Sequence, residues 1–256
     1  MKKLILVSND DGYMAKGVRE LMEMLSPYGD VVAICPDGGR SGQSMALTFD
    51  APLRVREEKS PVPNTKLYSC NGTPVDCVKI SRYSVLGGRM PDLVVAGINH
   101  GSNAAVNVCY SGTMGAVQEG CSWGVPSIGF SLTTHHPDAD FNAVRAVVDA
   151  LVPKILEFGL PKGTFINVNV PHDVETPPIK LCRECKAHWS EEYQKYTDPM
   201  GNAFYMLAGR LLNDEPDNQD TDLYALAHGC TSVVLECLDR TAPHASMPMW
   251  LSESLS

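Results

Sequence analysis

The chain has 256 residues, of which 44% are hydrophobic and 20% charged, with a net charge of −9. That composition excludes a disordered chain and is long enough for one large domain with a sizeable core. The acidic balance, pI about 5.2, excludes a general affinity for duplex nucleic acid or anionic membrane, which needs a clustered basic surface. It leaves room for a small phosphate ester held through a cation.

Met1-Lys2-Lys3 is followed by a short apolar run and then acidic residues, with no small-residue cleavage site, so the N-terminus reads as a strand rather than a signal peptide. No run approaches the roughly 18 apolar residues of a membrane helix. Nine cysteines are scattered without a framework, several inside apolar runs (Cys35, Cys230, Cys237). Reduced, buried thiols and a cytoplasmic location are the expectation.

In chain order, Leu4 to Ser8 is a strand without polar alternation, hence covered on both faces. Val18, Leu21, Met22 and Leu25 share one face of a helix. Asp30 to Cys35 is a strand stopped by Pro36, and Pro91 to Ile98 another, with Asn99 at its end. Ser111 to Cys121 reads as a helix and Ser127 to Leu132 as a strand. Phe141 to Phe158 reads as a long helix kinked or interrupted at Pro153, followed by a strand from Thr164 to Val170. From Pro177 the pattern changes. Ile179 to Tyr196 reads as a strand or hairpin segment, Gly201-Asn202 as a turn, and Ala203 to Leu207 as a partner strand. Leu211 to Asp222 is acidic and loop-like, Thr221-Asp222-Leu223 starts a short helix, and Thr231 to Leu238 is a strand that returns to the main sheet. The alternation implies an α/β, doubly wound and mainly parallel sheet. The whole chain reads as one domain: a core of about 1–175 plus 221–241, an extension over about 176–220, and a tail over about 242–256 that forms an arm or frays.

Three polar loops fall at carboxyl ends of predicted strands, where open α/β sheets bind ligands. They are Asn9-Asp10-Asp11-Gly12, the glycine-rich Pro36 to Ser44 with Arg40 and Ser41, and Gly97 to Asn103. Ser111-Gly112-Thr113 adds a helix start with free N–H groups and a dipole that favours phosphate. Asp10 and Asp11 repel each other unless a cation or a shared proton intervenes. Carboxylates, a hydroxyl and an amide carbonyl are the donors of a hard divalent cation. Each loop alone reads as a capped turn; together, at one end of one sheet, they read as a metal and phosphate site. Cys182 and Cys185 have CxxC spacing without a second pair and read as structural thiols. His135-His136 reads as loop residues; His100 lies inside the third loop, a turn residue by default, with a side chain that could reach the site as the alternative.

Ser8 to Gly12, Pro36-Asp37 through Gly42, Gly72 to Val78, Gly97 to Asn103, Tyr110 to Thr113 and Asn167 to Pro171 resemble, in order, the SurE survival-protein family. The resemblance implies a metal-dependent 5′/3′-nucleotidase. It implies a Rossmann-like sheet flanked by helices, with a protruding hairpin and a C-terminal arm, assembled as a homodimer or homotetramer. By resemblance, one divalent ion per subunit, Mg²⁺ or Mn²⁺, is held by Asp10, Asp11, Ser41 and Asn99, and the phosphate neighbourhood maps onto Asn103, Ser111, Gly112 and Thr113. The implied partner is a nucleotide; neither duplex nucleic acid nor membrane is expected. Two segments depart from the pattern: Asp37-Gly38-Gly39-Arg40, which has one positive charge fewer, and Val234 to Leu238.

The expected chemistry is hydrolysis of nucleoside monophosphates by a metal-activated water, with Asp10 and Asp11 as the catalytic pair. Adjacent carboxylates do not fit an aspartyl-phosphate enzyme, which needs them two positions apart. A non-catalytic nucleotide-binding module, or a phosphatase acting mainly on polyphosphate, stays open as the alternative.

Overall fold

The computed structural model describes residues 2–242. The expected arm after Ala242 lies outside the described residues. In chain order the elements are β1 (Leu4–Ser8), α1 (Lys16–Leu25), β2 (Asp30–Pro36), β3 (Val55–Glu58), β4 (Lys66–Cys70), α2 (Pro74–Ser84) and β5 (Leu93–His100). A 3-10 helix (Ala105–Cys109), α3 (Gly112–Ser122), β6 (Ser127–Leu132), α4 (Asn142–Phe158) and β7 (Thr164–Val170) follow. The remainder is β8 (Ile179–Cys182), β9 (Ala187–Ser190), β10 (Tyr193–Thr197), β11 (Ala203–Leu207), β12 (Arg210–Asn213), α5 (Asp222–Ala227) and β13 (Thr231–Cys237).

A nine-stranded sheet in the order β3-β4-β2-β1-β5-β6-β7-β13-β8 is the frame. From β4 to β7 all neighbours run parallel, whereas β3 and β13 are antiparallel to β4 and β7. Residues 4–8 are buried throughout because both faces are covered. On one face α1 and α4 pack Val18, Leu21, Val144 and Val148 against Ile5, Val7, Val95 and Val168. On the other, α2 and α3 pack Val78, Met114 and Val117 against Leu6, Ile34 and Val94. Helix α2 starts on a Thr73–Asp76 capping box with Pro74 in its first turn. The chain runs from β1 to β2 on one side and β5 lies on the other, so the strand order reverses beside β1 and opens a crevice at the carboxyl ends.

Several expectations need correcting in detail. Helix α4 is not interrupted: it runs through Pro153, with Phe141 as its N-cap. The segment 179–196 is three strands, and β8 joins the main sheet parallel to β13 instead of forming a hairpin. Residues 211–213 belong to β12, which pairs with β9, so only the remainder up to Thr221 is loop. The β10–β11 hairpin does form, with Tyr193 opposite Leu207 and Thr197 opposite Ala203. β3, β4, most of α2 and the 3-10 helix carried no prediction. Cys35 is buried as expected, but Cys230, just before β13, is half-buried, and Cys237 is exposed because β13 leaves the core after Val234. All nine cysteines are free thiols.

Candidate active site

The first loop leaves the crevice directly after β1. Asn9 Nδ2 donates to Gly12 O (2.9 Å) and closes the turn around Asp10 and Asp11. Gly12 has φ +98°, and a Cβ there would stand 3.1 Å from the Gly38 carbonyl carbon, so the first loop rests on the second. Arg40 N donates to Asp10 O at 2.7 Å and ties the two main chains together. Ser41 follows this tie, on the exposed rim of the second loop. The Arg40 guanidinium turns away to Asp37 Oδ1 (3.1 Å) and Asn71 O (3.3 Å). Ser44 holds the loop's far end against the start of α3: its N donates to Tyr110 O (3.0 Å) and its Oγ to Cys109 O (2.7 Å).

Strand β5, the neighbour of β1, supplies the third loop. Its pairing with β6 shifts between Ala96 and Asn99, an irregularity that re-aims the residues at its end. Asn99 Nδ2 donates to Gly101 O (2.8 Å), which fixes the amide and leaves its oxygen as an acceptor. His100 approaches Asp11 Oδ2 through both its main-chain N (3.3 Å) and its Nδ1 (3.2 Å). His135 lies over Gly101, where a Cβ would meet its Cε1 at 2.3 Å.

Asp10 is 3% exposed. Thr113 Oγ1 donates to its Oδ1 at 2.5 Å. Burial pushes the Asp10 carboxyl up to about 6; the Thr113 hydroxyl opposes the rise, and the charge of Asp11 adds to it. Gly112 lies directly against this carboxylate, since a Cβ there would sit 2.9 Å from Asp10 Cβ and 3.1 Å from Oδ2. The helix start is therefore busy. Ser111 N donates to Asn107 O (3.1 Å), Ser111 Oγ accepts from Met114 N (3.0 Å), and Thr113 serves Asp10. Gly112 N–H, in the first turn of α3, has no intrahelical acceptor. Asn103 is buried, with Nδ2 donating to Ser131 Oγ (2.9 Å).

Asp10, Asp11 and Asn99 thus stand at the ends of adjacent strands, with Ser41 one residue beyond the Arg40–Asp10 main-chain bond and Gly112 and Thr113 against Asp10. Among the described residues, no three His, Cys, Asp or Glu side chains form a metal-holding group. The available donors are two carboxylates with neutral amide and hydroxyl oxygens, a set suited to a hard cation that keeps some of its waters. A divalent cation fits this donor set: a desolvated carboxylate beside a second one, with no Lys or Arg paired to either among the described residues, needs compensating charge from outside the chain. Sequence reasoning did not find the His100–Asp11 contact or the use of Thr113 on Asp10. Both depend on side-chain aim, which spacing does not encode.

The family model described as Survival protein SurE matches residues 5–191. A protein of Bacteroides fragilis named 5′-nucleotidase SurE is 47% identical over 243 residues, 95% of this chain and 94% of its own length. One from Phocaeicola vulgatus with the same name is 43% identical, covering 94% of this chain and 93% of its own. The crystal structure of the SurE protein from Aquifex aeolicus superposes with a TM-score of 0.82 at 34% identity, over 98% of this chain and 99% of that one. By this match, over a shared architecture, the chain belongs to the SurE survival-protein family.

Proposed function

We propose that the protein is a metal-dependent nucleotidase that hydrolyses nucleoside 5′- and 3′-monophosphates to nucleoside and phosphate. The observation that carries this reading is the buried Asp10 beside Asp11 at the mouth of the sheet, with no Lys or Arg paired to either among the described residues. The 5′-nucleotidase names of relatives that align over nearly the whole chain support it. Asp10, Asp11, Ser41 and Asn99 are the residues that would hold one divalent ion, Mg²⁺ or Mn²⁺. Bound there, such a cation screens phosphoryl charge and acidifies water.

The chain's own groups do the rest. Thr113 and Asn9 keep Asp10 and its turn in one orientation. Asp11, fixed through His100 at Oδ2, orients the attacking water and takes up its proton on the other carboxylate oxygen, Oδ1. Asn103 and the Gly112 N–H face the phosphate and stabilise charge that grows on its oxygens; Ser111 and Thr113 act mainly by shaping that helix start. We place the enzyme in the cytoplasm as a homodimer or homotetramer. No described helix is long and apolar enough to cross a membrane, and β10 and β11 expose Tyr193, Tyr205 and Leu207 for a second copy to cover.

Phosphate release from a panel of nucleotides and short polyphosphates, with several divalent metals, tests the reading. Metal-dependent release from nucleoside monophosphates is expected, and Asp10→Asn lowers it by about 10³-fold with the fold intact. Metal binding without release from any nucleotide would favour a regulatory module, and release from polyphosphate alone the polyphosphatase.

A further inference from the structure

The loop that presents Asn103 is held by its own strand at Gly101, through Asn99 Nδ2, but the main chain of Asn103 is not. It is gripped from β7, two strands away in the sheet. Asn167 and Asn169 are two apart on β7, so both project to the α3 side, as Phe165 does, while Ile166, Val168 and Val170 enter the opposite core. Asn169 Oδ1 accepts from Asn103 N (2.7 Å) and Ser102 Oγ (3.3 Å). Its Nδ2 donates to Asn167 Oδ1 (3.2 Å). Asn167 Nδ2 donates to Asn103 O (3.0 Å) and to Glu236 Oε1 (2.9 Å) on β13.

Both main-chain polar groups of one residue, Asn103, are thus bound by one pair of side chains. Asn167 uses both of its amide hydrogens and its oxygen in the process. The pair is 1% and 0% exposed. Burying two amides on a strand face is unfavourable unless every polar group finds a partner, and apolar side chains would pack there without that requirement. Sheet packing therefore does not explain two asparagines, whereas fixing the 101–105 loop does. Ala105, next along, is held similarly: its N donates to the buried Asp222 Oδ2 at 2.8 Å.

We propose that Asn169 and Asn167 are positioning residues for hydrolysis, gripping the N–H and C=O of Asn103 so that its side chain keeps a fixed place at the phosphate. The proposal rests on the reading of Asn103 as a phosphate neighbour. Among the described residues, neither Asn167 nor Asn169 hydrogen-bonds to Asp10, Asp11, Ser41 or Asn99, so cation binding and positioning separate experimentally.

The test compares Asn169→Leu and Asn169→Asp with the parent protein by three readouts: hydrogen exchange at the Asn103 amide, kcat and KM with a nucleoside monophosphate, and Mn²⁺ affinity by calorimetry. In Asn169→Leu the Asn103 amide exchanges at least about tenfold faster and kcat falls about 10–100-fold, with Mn²⁺ affinity within about threefold of the parent. Asn169→Asp keeps an acceptor for Asn103 N, so it retains slow exchange and recovers most of kcat. Unchanged exchange, kcat within about twofold, or Mn²⁺ affinity falling in step with kcat would overturn the proposal. Should Asn169→Leu fail to fold, Asn167→Ser, which releases the Asn103 carbonyl, carries the same readouts and the same criteria. If the parent protein releases phosphate from no nucleotide, the nucleotidase reading fails. The exchange comparison still decides whether the grip exists.

Discussion

The first two thirds of the chain, up to Val170, and the last third solve different problems. The first part builds strands covered on both faces and leaves its polar residues at their carboxyl ends, where Asp10, Asp11, Asn99 and Asn103 gather. The second part extends into β9–β12, whose side chains are largely exposed, and then returns as β13, antiparallel at the sheet's flank. Chemistry-bearing groups are concentrated in the first part. Yet the second part supplies anchors for the third loop: Asp222 on Ala105, Glu236 on Asn167, and Trp189 Nε1 on Asn107 Oδ1 (2.9 Å). A site can therefore be spelled out by one part of a chain and held still by another.

The largest effect that sharpens this contrast is expected at Gly112, in the first part. A Cβ there enters the space of the Asp10 carboxylate, with 2.9 Å to Asp10 Cβ. Helix propensity favours alanine over glycine, so Gly112→Ala keeps α3 and acts through the Asp10 carboxylate and the Pro74 ring, whose Cγ the new Cβ would meet at 3.1 Å. Calorimetry with Mn²⁺ should show affinity reduced about 10–100-fold. Unaltered affinity would mean that Asp10 does not face the cation.

This asymmetry also governs what was legible beforehand. Leu4 to Ser8 declared itself because a strand buried on both faces has no polar alternation, and the adjacent acidic pair asked for a cation. The β10–β11 hairpin was legible from its Gly201-Asn202 turn although all its residues are exposed. The strand β3 was not, because Val55-Arg56-Glu57-Glu58 is an edge strand with little apolar content. Helix α4 hid its continuity behind Pro153, where local propensity favours a break and packing against α1 and the sheet overrides it. In the site, residue types and spacing pointed to the Asp10-Asp11 pair and to the polar loop around Asn99, and the family resemblance to Asn99 as a ligand. They did not reveal that Thr113 turns its hydroxyl to Asp10, since any helix-start threonine reads as a cap.

A smaller effect follows from that hydroxyl. Thr113→Val keeps the shape of a fully buried side chain and removes the donor to Asp10 Oδ1. Asp10 is left desolvated with one partner fewer, and turnover should fall about tenfold at saturating Mn²⁺. Turnover within twofold of the parent would assign the bond to α3 stability instead.

In the second part, Glu236 gives a pH signature. Burial raises its carboxyl from 4.5 to about 7, against the opposing bond from Asn167; Glu184 and Asp222 add to the rise and Arg240 opposes it. Because the folded-state value lies above the unfolded one, its stabilising contribution is complete below about pH 4.5 and lost as pH rises through about 7. Glu236→Gln retains an acceptor for Asn167 and cannot ionise. The variant should gain about 1 kcal/mol on the parent between pH 5 and 8, after allowance for the partial exposure of Glu236. Parallel stability curves for the two proteins would exclude Glu236 as the titrating group.

The smallest expected change lies on the exposed hairpin. Leu207 on β11 is 74% exposed, while Leu6 on β1 is fully buried between two helix layers. Truncating a buried leucine costs about 2–5 kcal/mol because a cavity remains. Leu207→Ala leaves none within one chain and should shift unfolding free energy by less than about 0.5 kcal/mol in dilute protein. Denaturant titrations at two protein concentrations check this. A deficit that grows with concentration would show a second copy covering the hairpin, since mass action stabilises only the assembled parent. A deficit independent of concentration would instead mean that Leu207 packs against its own chain and that the hairpin belongs to the core.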